Sequence, residues 1–136
     1  MRLLVAALAD YANVTADGKL NVFGVFDTIF VPKDKFPAVH LLAVVALRLM
    51  FEYEDGDAHH ILAVTLVNQD GREFARSEGA IDIPKIEPGN RAVVNQVLVL
   101  HQLRFDHPAK LAVAIRWDGD EKQRLPLDVV SAPDTP

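Results

Sequence analysis

The chain has 136 residues, half of them apolar, with 14 basic against 19 acidic side chains, a formal charge of −5 and no cysteine. That length and apolar content suit one domain with an ordinary core. The absence of cysteine rules out disulfides, thiolate zinc sites and cysteine nucleophiles and fits a cytoplasmic protein, while the lack of any Lys/Arg run able to track a phosphate backbone argues against nucleic acid as a partner.

Residues 2–9 open the chain as an apolar strand. One positive charge and Ala7-Leu8-Ala9 imitate a signal peptide, but a secretory signal needs roughly 15 to 30 residues. Alanine is frequent over 6–16, yet Asn13, Val14 and Thr15 are weak helix formers and Asp17-Gly18 follows, so at most one helical turn is expected there. Asp17-Gly18 is the first of four Asp-Gly pairs, with Asp55-Gly56, Asp70-Gly71 and Asp118-Gly119. Each lies between apolar runs, and both residue types tolerate the positive φ of tight turns, so repeated hairpins and antiparallel pairing are expected.

The next strand, 19–31, is apolar on both sides: Val22, Phe26 and Phe30 fall on one face, Phe23, Val25, Ile29 and Val31 on the other. Gly24 within it marks a bulge or close packing. After a charged loop between Pro32 and Pro37, residues 39–54 form a long strand with Leu41, Ala43, Val45, Leu47, Leu49, Phe51 and Tyr53 on one side and Arg48, Glu52 and Glu54 on the other. Its apolar stretch is broken by Arg48 and falls short of the roughly 18 residues of a membrane span. Strands follow over 59–68 and 72–83, then a loop holding Pro84 and Pro88.

In the strand 92–105, Leu98 and Leu100 oppose Val97, Val99, His101 and Leu103. In 109–117, Leu111, Val113, Ile115 and Trp117 alternate with Lys110, Ala112, Ala114 and Arg116. The last strand, 122–130, contains Pro126, which cannot donate to a ladder and so implies an edge or a bulge. The remaining 131–136, with two prolines and no large apolar residue, read as a disordered tail. The fold class expected is all-β: a single domain over 1–130, an antiparallel β-sandwich of about eight strands with immunoglobulin-like or related topology.

Chemistry-bearing groups form no motif. His59 and His60 are adjacent, but neighbours on a strand face opposite ways and cannot easily share a metal. His101 is expected to be partly buried beside Val97, Val99 and Leu103, and His40 and His107 to be surface residues at strand ends. Glu52, Glu54, Asp55 and Asp57 cluster at one turn, Asp118, Asp120 and Glu121 at another; neither has the ligand spacing of an EF-hand. Ser77 and Ser131 stand outside any Gly-x-Ser-x-Gly elbow, and the seven glycines are isolated. No catalytic residue, metal site or cofactor is expected.

The stretch from Ala7-Leu8-Ala9-Asp10 through Asp17-Gly18-Lys19-Leu20-Asn21-Val22-Phe23-Gly24 resembles a family of small bacterial proteins of unknown function. Leu111-Ala112-Val113, Trp117-Asp118-Gly119 and Leu125-Pro126-Leu127-Asp128-Val129 are similar to that family's closing hairpin. The resemblance implies the sandwich and no activity.

Strands apolar on both faces need a cover beyond the facing sheet: a loop or local twist over a central strand, or a partner. The leading expectation is a non-catalytic, soluble protein-interaction module, self-associating or binding another protein, with Phe23, Val25 and Ile29 as interface, or the opposite set Val22, Phe26 and Phe30. A second reading is a small-ligand or carbohydrate face using Arg48, Arg116, Gln102 and Trp117, although Arg48 and Arg116 are expected rather as surface ion-pair partners of Glu52 or Glu54. An enzyme would need folding to bring His59, His101 and carboxylates together.

Overall fold

A computed structural model describes residues 1–132. Nine strands run in chain order: β1 (Arg2–Val14), β2 (Leu20–Val25), β3 (Thr28–Pro32), β4 (Ala38–Phe51), β5 (Ala58–Val67), β6 (Glu73–Ile83), β7 (Ala92–Phe105), β8 (Ala109–Trp117) and β9 (Asp120–Ala132). They form a four-stranded sheet, β2-β1-β4-β7, and a five-stranded one, β3-β9-β8-β5-β6. Among the described residues no helix is long and apolar enough to cross a membrane.

The main core lies between the sheets, and the period-two pattern supplies it. Val45, Leu47, Leu49 and Phe51 of β4 meet Leu62, Val64 and Leu66 of β5, Val113, Ile115 and Trp117 of β8, and Leu127 and Val129 of β9. Each such side chain removed from water contributes about 1.5–3 kcal/mol.

Where the elements depart from the expected ones, the backbone shows why. Residues 19–31 are two strands, not one: Phe26 N–H donates to the Leu8 carbonyl (3.0 Å), Asp128 N–H donates to that of Asp27 (2.8 Å), and the chain changes sheets between them. β3 then pairs in parallel with β9, one parallel pair among antiparallel ones. No helical turn interrupts β1, which pairs with β4 over its first part and with β2 from Ala9 to Val14. Three Asp-Gly pairs do close hairpins; Asp55-Gly56 instead carries the chain from β4 in one sheet to β5 in the other, through a short 3-10 turn at Tyr53–Asp55. β9 extends to Ala132, two residues into the stretch read as a tail, and residues 133–136 lie outside the described part.

Pro126 is in an inner strand, yet the reasoning about its missing N–H holds locally. β3 pairs only with residues 128–132 of β9. Asp128 N–H points to the β3 side, so by alternation the nitrogen of Pro126 faces the same side, below the start of β3, where no strand waits for a donor.

The outer faces differ. On the five-stranded sheet the middle positions are small, Ala63, Thr65 and Ala114, and all are buried. Long side chains on the surrounding positions form ion pairs, Arg116–Glu73 at 2.8 Å, Arg76–Glu78 at 2.9 Å and Arg124–Glu121 at 2.9 Å, and their stems cover the small residues.

The four-stranded sheet is apolar outside as well as inside. Its cover is the β1–β2 hairpin, bent back over the sheet. β1 meets β4 at Val5↔Arg48 and Ala9↔Val44. A straight β1 would carry Val14 about 30 Å beyond Val5, at about 3.3 Å per residue. Instead the Gly18 carbonyl at the hairpin tip accepts hydrogen bonds from Arg48 (3.3 Å) and from Asn95 of β7 (2.8 Å), and Arg48 also donates to Asn95 Oδ1 (2.9 Å). The fold-back buries a second cluster of Ala9, Ala12, Val44 and Ala46, with Leu20, Val22, Val97 and Val99 packed against it. The bend is at Asp10 and Gly24: Gly24 has φ +68°, and a Cβ there would lie 2.5 Å from Asp10 Oδ2. Close packing is therefore what this glycine permits.

Candidate functional site

The hairpin that covers one apolar face presents another. Ala12 and Val22 pack inward on the sheet, while Tyr11 and Phe23, directly opposite each other, form a ring pair with centroids 5.9 Å apart and stay 52% and 53% exposed. Val25, farther along β2, is 66% exposed. Such a cross-strand pair stabilises the hairpin by a few tenths to about 1 kcal/mol and leaves most of its apolar surface in water.

β2 is also a sheet edge, and it lacks the charge or the proline that the outer strands β6 and β3 carry. β6 carries Glu73, Arg76, Glu78 and Asp82, charges that resist pairing with a further strand, and β3 is five residues long and ends on Pro32. β7 lies alongside β6. β2, with sequence Leu-Asn-Val-Phe-Gly-Val, has neither charge nor proline.

Of the three residues expected at an interface, the structure keeps Phe23 and Val25 together on this edge and separates Ile29, which sits on β3 in the other sheet, half-buried against the main core. The opposite set also divides: Val22 faces the second cluster, Phe26 packs on the main core, and Phe30 is 69% exposed. Tyr11 lies beyond the strand 2–9 expected from the sequence; the pairing of Val14 with Leu20 around Asp17 places it opposite Phe23.

The residues expected to form a ligand face do not converge. Arg48 is bonded to Gly18 and Asn95, Arg116 to Glu73 on the outside of the other sheet, and Trp117 is buried against Phe51 with ring centroids 5.4 Å apart. Neither arginine pairs with Glu52 or Glu54, since those acids lie beyond β4, at the crossover. Gln102 is the exception, standing at the mouth of a cleft beside His101. Its φ of +49° resets the alternation of β7, so Leu103 joins Leu98 and Leu100 in the core while His101 stays exposed, contrary to its expected burial. His40 differs the other way: its ring lies 5.7 Å from that of Phe26 and its Nε2 is buried.

His59 and His60 do face opposite ways. His59 is exposed and bonded to Asp82, whereas His60 stacks on Trp117 at 4.5 Å and donates from Nδ1 to Asp118 (2.6 Å) and from Nε2 to the Asp55 carbonyl (3.3 Å). Both ring nitrogens thus face acceptors, the Asp118 carboxylate and a carbonyl, an arrangement that favours the doubly protonated ring. Burial opposes that charge, but the bond to Asp118 and the nearby carboxylates outweigh it and raise the imidazole above its ordinary 6.5; the bonds from His60 and Ile61 N–H lower the Asp118 carboxyl below 3.8. Asp55 accepts from the Met1 amine at 2.9 Å and from Glu52 N–H at 3.0 Å. The two acidic turns are thus tied into the fold by their own bonds. His101 lies at the far end from His59: it lines the cleft with Asn68, nine residues or about 30 Å along from His59.

The sequence model of the Family of unknown function (DUF6941) matches residues 4–130, taking in the hairpin, both sheets and the closing strands. The chain belongs to this family. Membership agrees with the resemblance seen at the two ends of the sequence and extends it across the middle. No match is found among curated proteins. Among solved structures, a glycosyl hydrolase family 2 member from Bacteroides cellulosilyticus DSM 14838 is 14% identical with a TM-score of 0.36, covering 68% of this chain and 14% of its own. A second structure of a family 2 member from Bacteroides cellulosilyticus, from microfluidic crystals, is 13% identical with a TM-score of 0.34, covering 68% of this chain and 13% of its own. This chain thus spans a small part of those proteins, and a likeness of this size carries nothing about activity.

Proposed function

We propose that this DUF6941 protein is a non-catalytic interaction module that works by adding a strand at the β2 edge, with a second copy of the same chain as the first partner. The supporting observation is that edge itself: six residues without charge or proline, of which Phe23 and Val25 are exposed, with the half-exposed Tyr11 of β1 paired to Phe23. An unguarded edge offers unpaired N–H and C=O groups to another strand, and two identical copies can satisfy them around a twofold axis, each β2 serving as template for the other. The four-stranded sheets of two protomers would then continue into one.

Size-exclusion chromatography with light scattering tests this. The wild type is expected at twice the monomer mass at tens of micromolar. Phe23→Lys with Val25→Lys, which alters only exposed positions, is expected at the monomer mass with unchanged circular dichroism. A wild-type protein that remains monomeric, or a double variant that still dimerises, rules out the β2 edge.

A further inference from the structure

A cleft of about 520 Å³ opens between the sheets where β7 ends and the β5–β6 turn begins. It is within the size range of small-molecule sites, roughly 300–1,000 Å³. Its floor is the edge of the main core, Leu66, Leu103, Phe105 and Leu111. Leu103 is there because Gln102 takes a left-handed backbone conformation, which costs a non-glycine residue about 1–2 kcal/mol. Strain of this kind recurs at ligand sites, and here it turns an apolar side chain onto the floor.

The rim is positive on a chain whose net charge is −5. Arg72 and Arg104 stand there with a single acid, Asp106, which Arg104 engages at 3.0 Å. Arg72 is the free charge: its guanidinium lies 5.3 Å from the ring centre of Phe74, its backbone N–H is held by Asn68 Oδ1 at 2.9 Å, and among the described residues its side chain makes no hydrogen bond or ion pair. A planar guanidinium with unused donors, stacked on an aromatic ring above an apolar floor, matches a carboxylate attached to an apolar body.

We infer that this cleft binds a small amphipathic carboxylate, its apolar chain on Leu103 and Phe105 and its carboxylate on Arg72, beside Gln102. The site is at the opposite edge of the sheet from β2, so its occupancy and the association at β2 fail or succeed separately.

Isothermal titration with octanoate, and with octan-1-ol as the uncharged counterpart, is the test. Octanoate is expected to bind saturably and more tightly than octanol. Arg72→Gln is expected to weaken octanoate about tenfold, or about 1.4 kcal/mol, with an unchanged melting temperature showing that it folds. Arg124→Gln, on the outside of the other sheet, is expected to bind like the wild type. The inference is overturned if octanoate shows no saturable binding, if octanol binds equally well, or if Arg72→Gln binds octanoate as the wild type does.

Discussion

His60 shows how one residue can bind two remote turns together. Its ring joins Asp118, 58 positions away, to the carbonyl of Asp55 while lying flat on Trp117, so the crossover turn and the β8–β9 hairpin are held at one end of the sandwich. The raised imidazole contributes stability fully below its ordinary 6.5 and loses it as pH climbs through the raised value; the lowered Asp118 carboxyl contributes above 3.8 and loses it as pH falls through the depressed value. The pair is strongest between those limits. His60→Asn is expected to cost about 1 kcal/mol in that window, because solvent screens a pair whose carboxylate is nearly half exposed, and less well above it. Chemical denaturation at a series of pH values measures this; a variant whose deficit is the same on the alkaline side would show that stacking, not the charge, is what His60 supplies.

The β1–β2 hairpin is the element that answers the question raised by strands apolar on both faces. The sequence carried the hairpin itself, in Asp17-Gly18 and the apolar runs beside it, and it carried the surplus of apolar side chains. It did not carry the direction of the hairpin. That depends on Asp10 approaching Gly24 and on Gly18 reaching Arg48 and Asn95, contacts between residues up to 77 apart that leave no periodic trace. The same limit hid the division of 19–31 between two sheets, since alternation continues on both sides of Phe26. It also hid the resetting of β7 at Gln102, because nothing in the residue type announces a positive φ in mid-strand. The hairpin's two faces give a direct check: Val22→Ser, on the covered side, is expected to lose about 1.5–2 kcal/mol, whereas Phe23→Ser, on the open side, loses only what its pair with Tyr11 supplies, a few tenths to about 1 kcal/mol. Urea unfolding compares them, and equal losses would contradict the fold-back.

At the scale of the whole molecule, the two sheets solve the same problem differently. The five-stranded sheet spreads arginine and glutamate stems over small residues and so finishes itself with charge. The four-stranded sheet covers itself with its own hairpin and thereby brings an uncharged edge and two aromatic rings to the surface. Fold class, three of the four Asp-Gly hairpins and the surplus of apolar side chains over 19–31 are legible in the sequence because each follows from local pattern, whereas which of the two apolar sets stays exposed is not. Ile29 shares the alternation of Phe23 and Val25 but not their sheet. Of the cleft, the sequence shows only Gln102, since the floor comes from strands of both sheets and Arg72 from the β5–β6 turn, which meet only in the folded chain.

The absence of cysteine allows the β2 edge to be tested one position at a time. In a twofold antiparallel pair, residues at the axis face their own copies at about 4.5–5.5 Å between Cα atoms, within the range a disulfide can span. Single cysteines placed in turn at Asn21, Val22, Phe23 and Val25, with Glu78→Cys on the charged edge as reference, would be oxidised and the disulfide-linked dimer measured. The proposed association gives rapid linkage concentrated at the one or two β2 positions nearest the axis and little at Glu78. Linkage equal at every position including Glu78, or absent throughout β2, would contradict it.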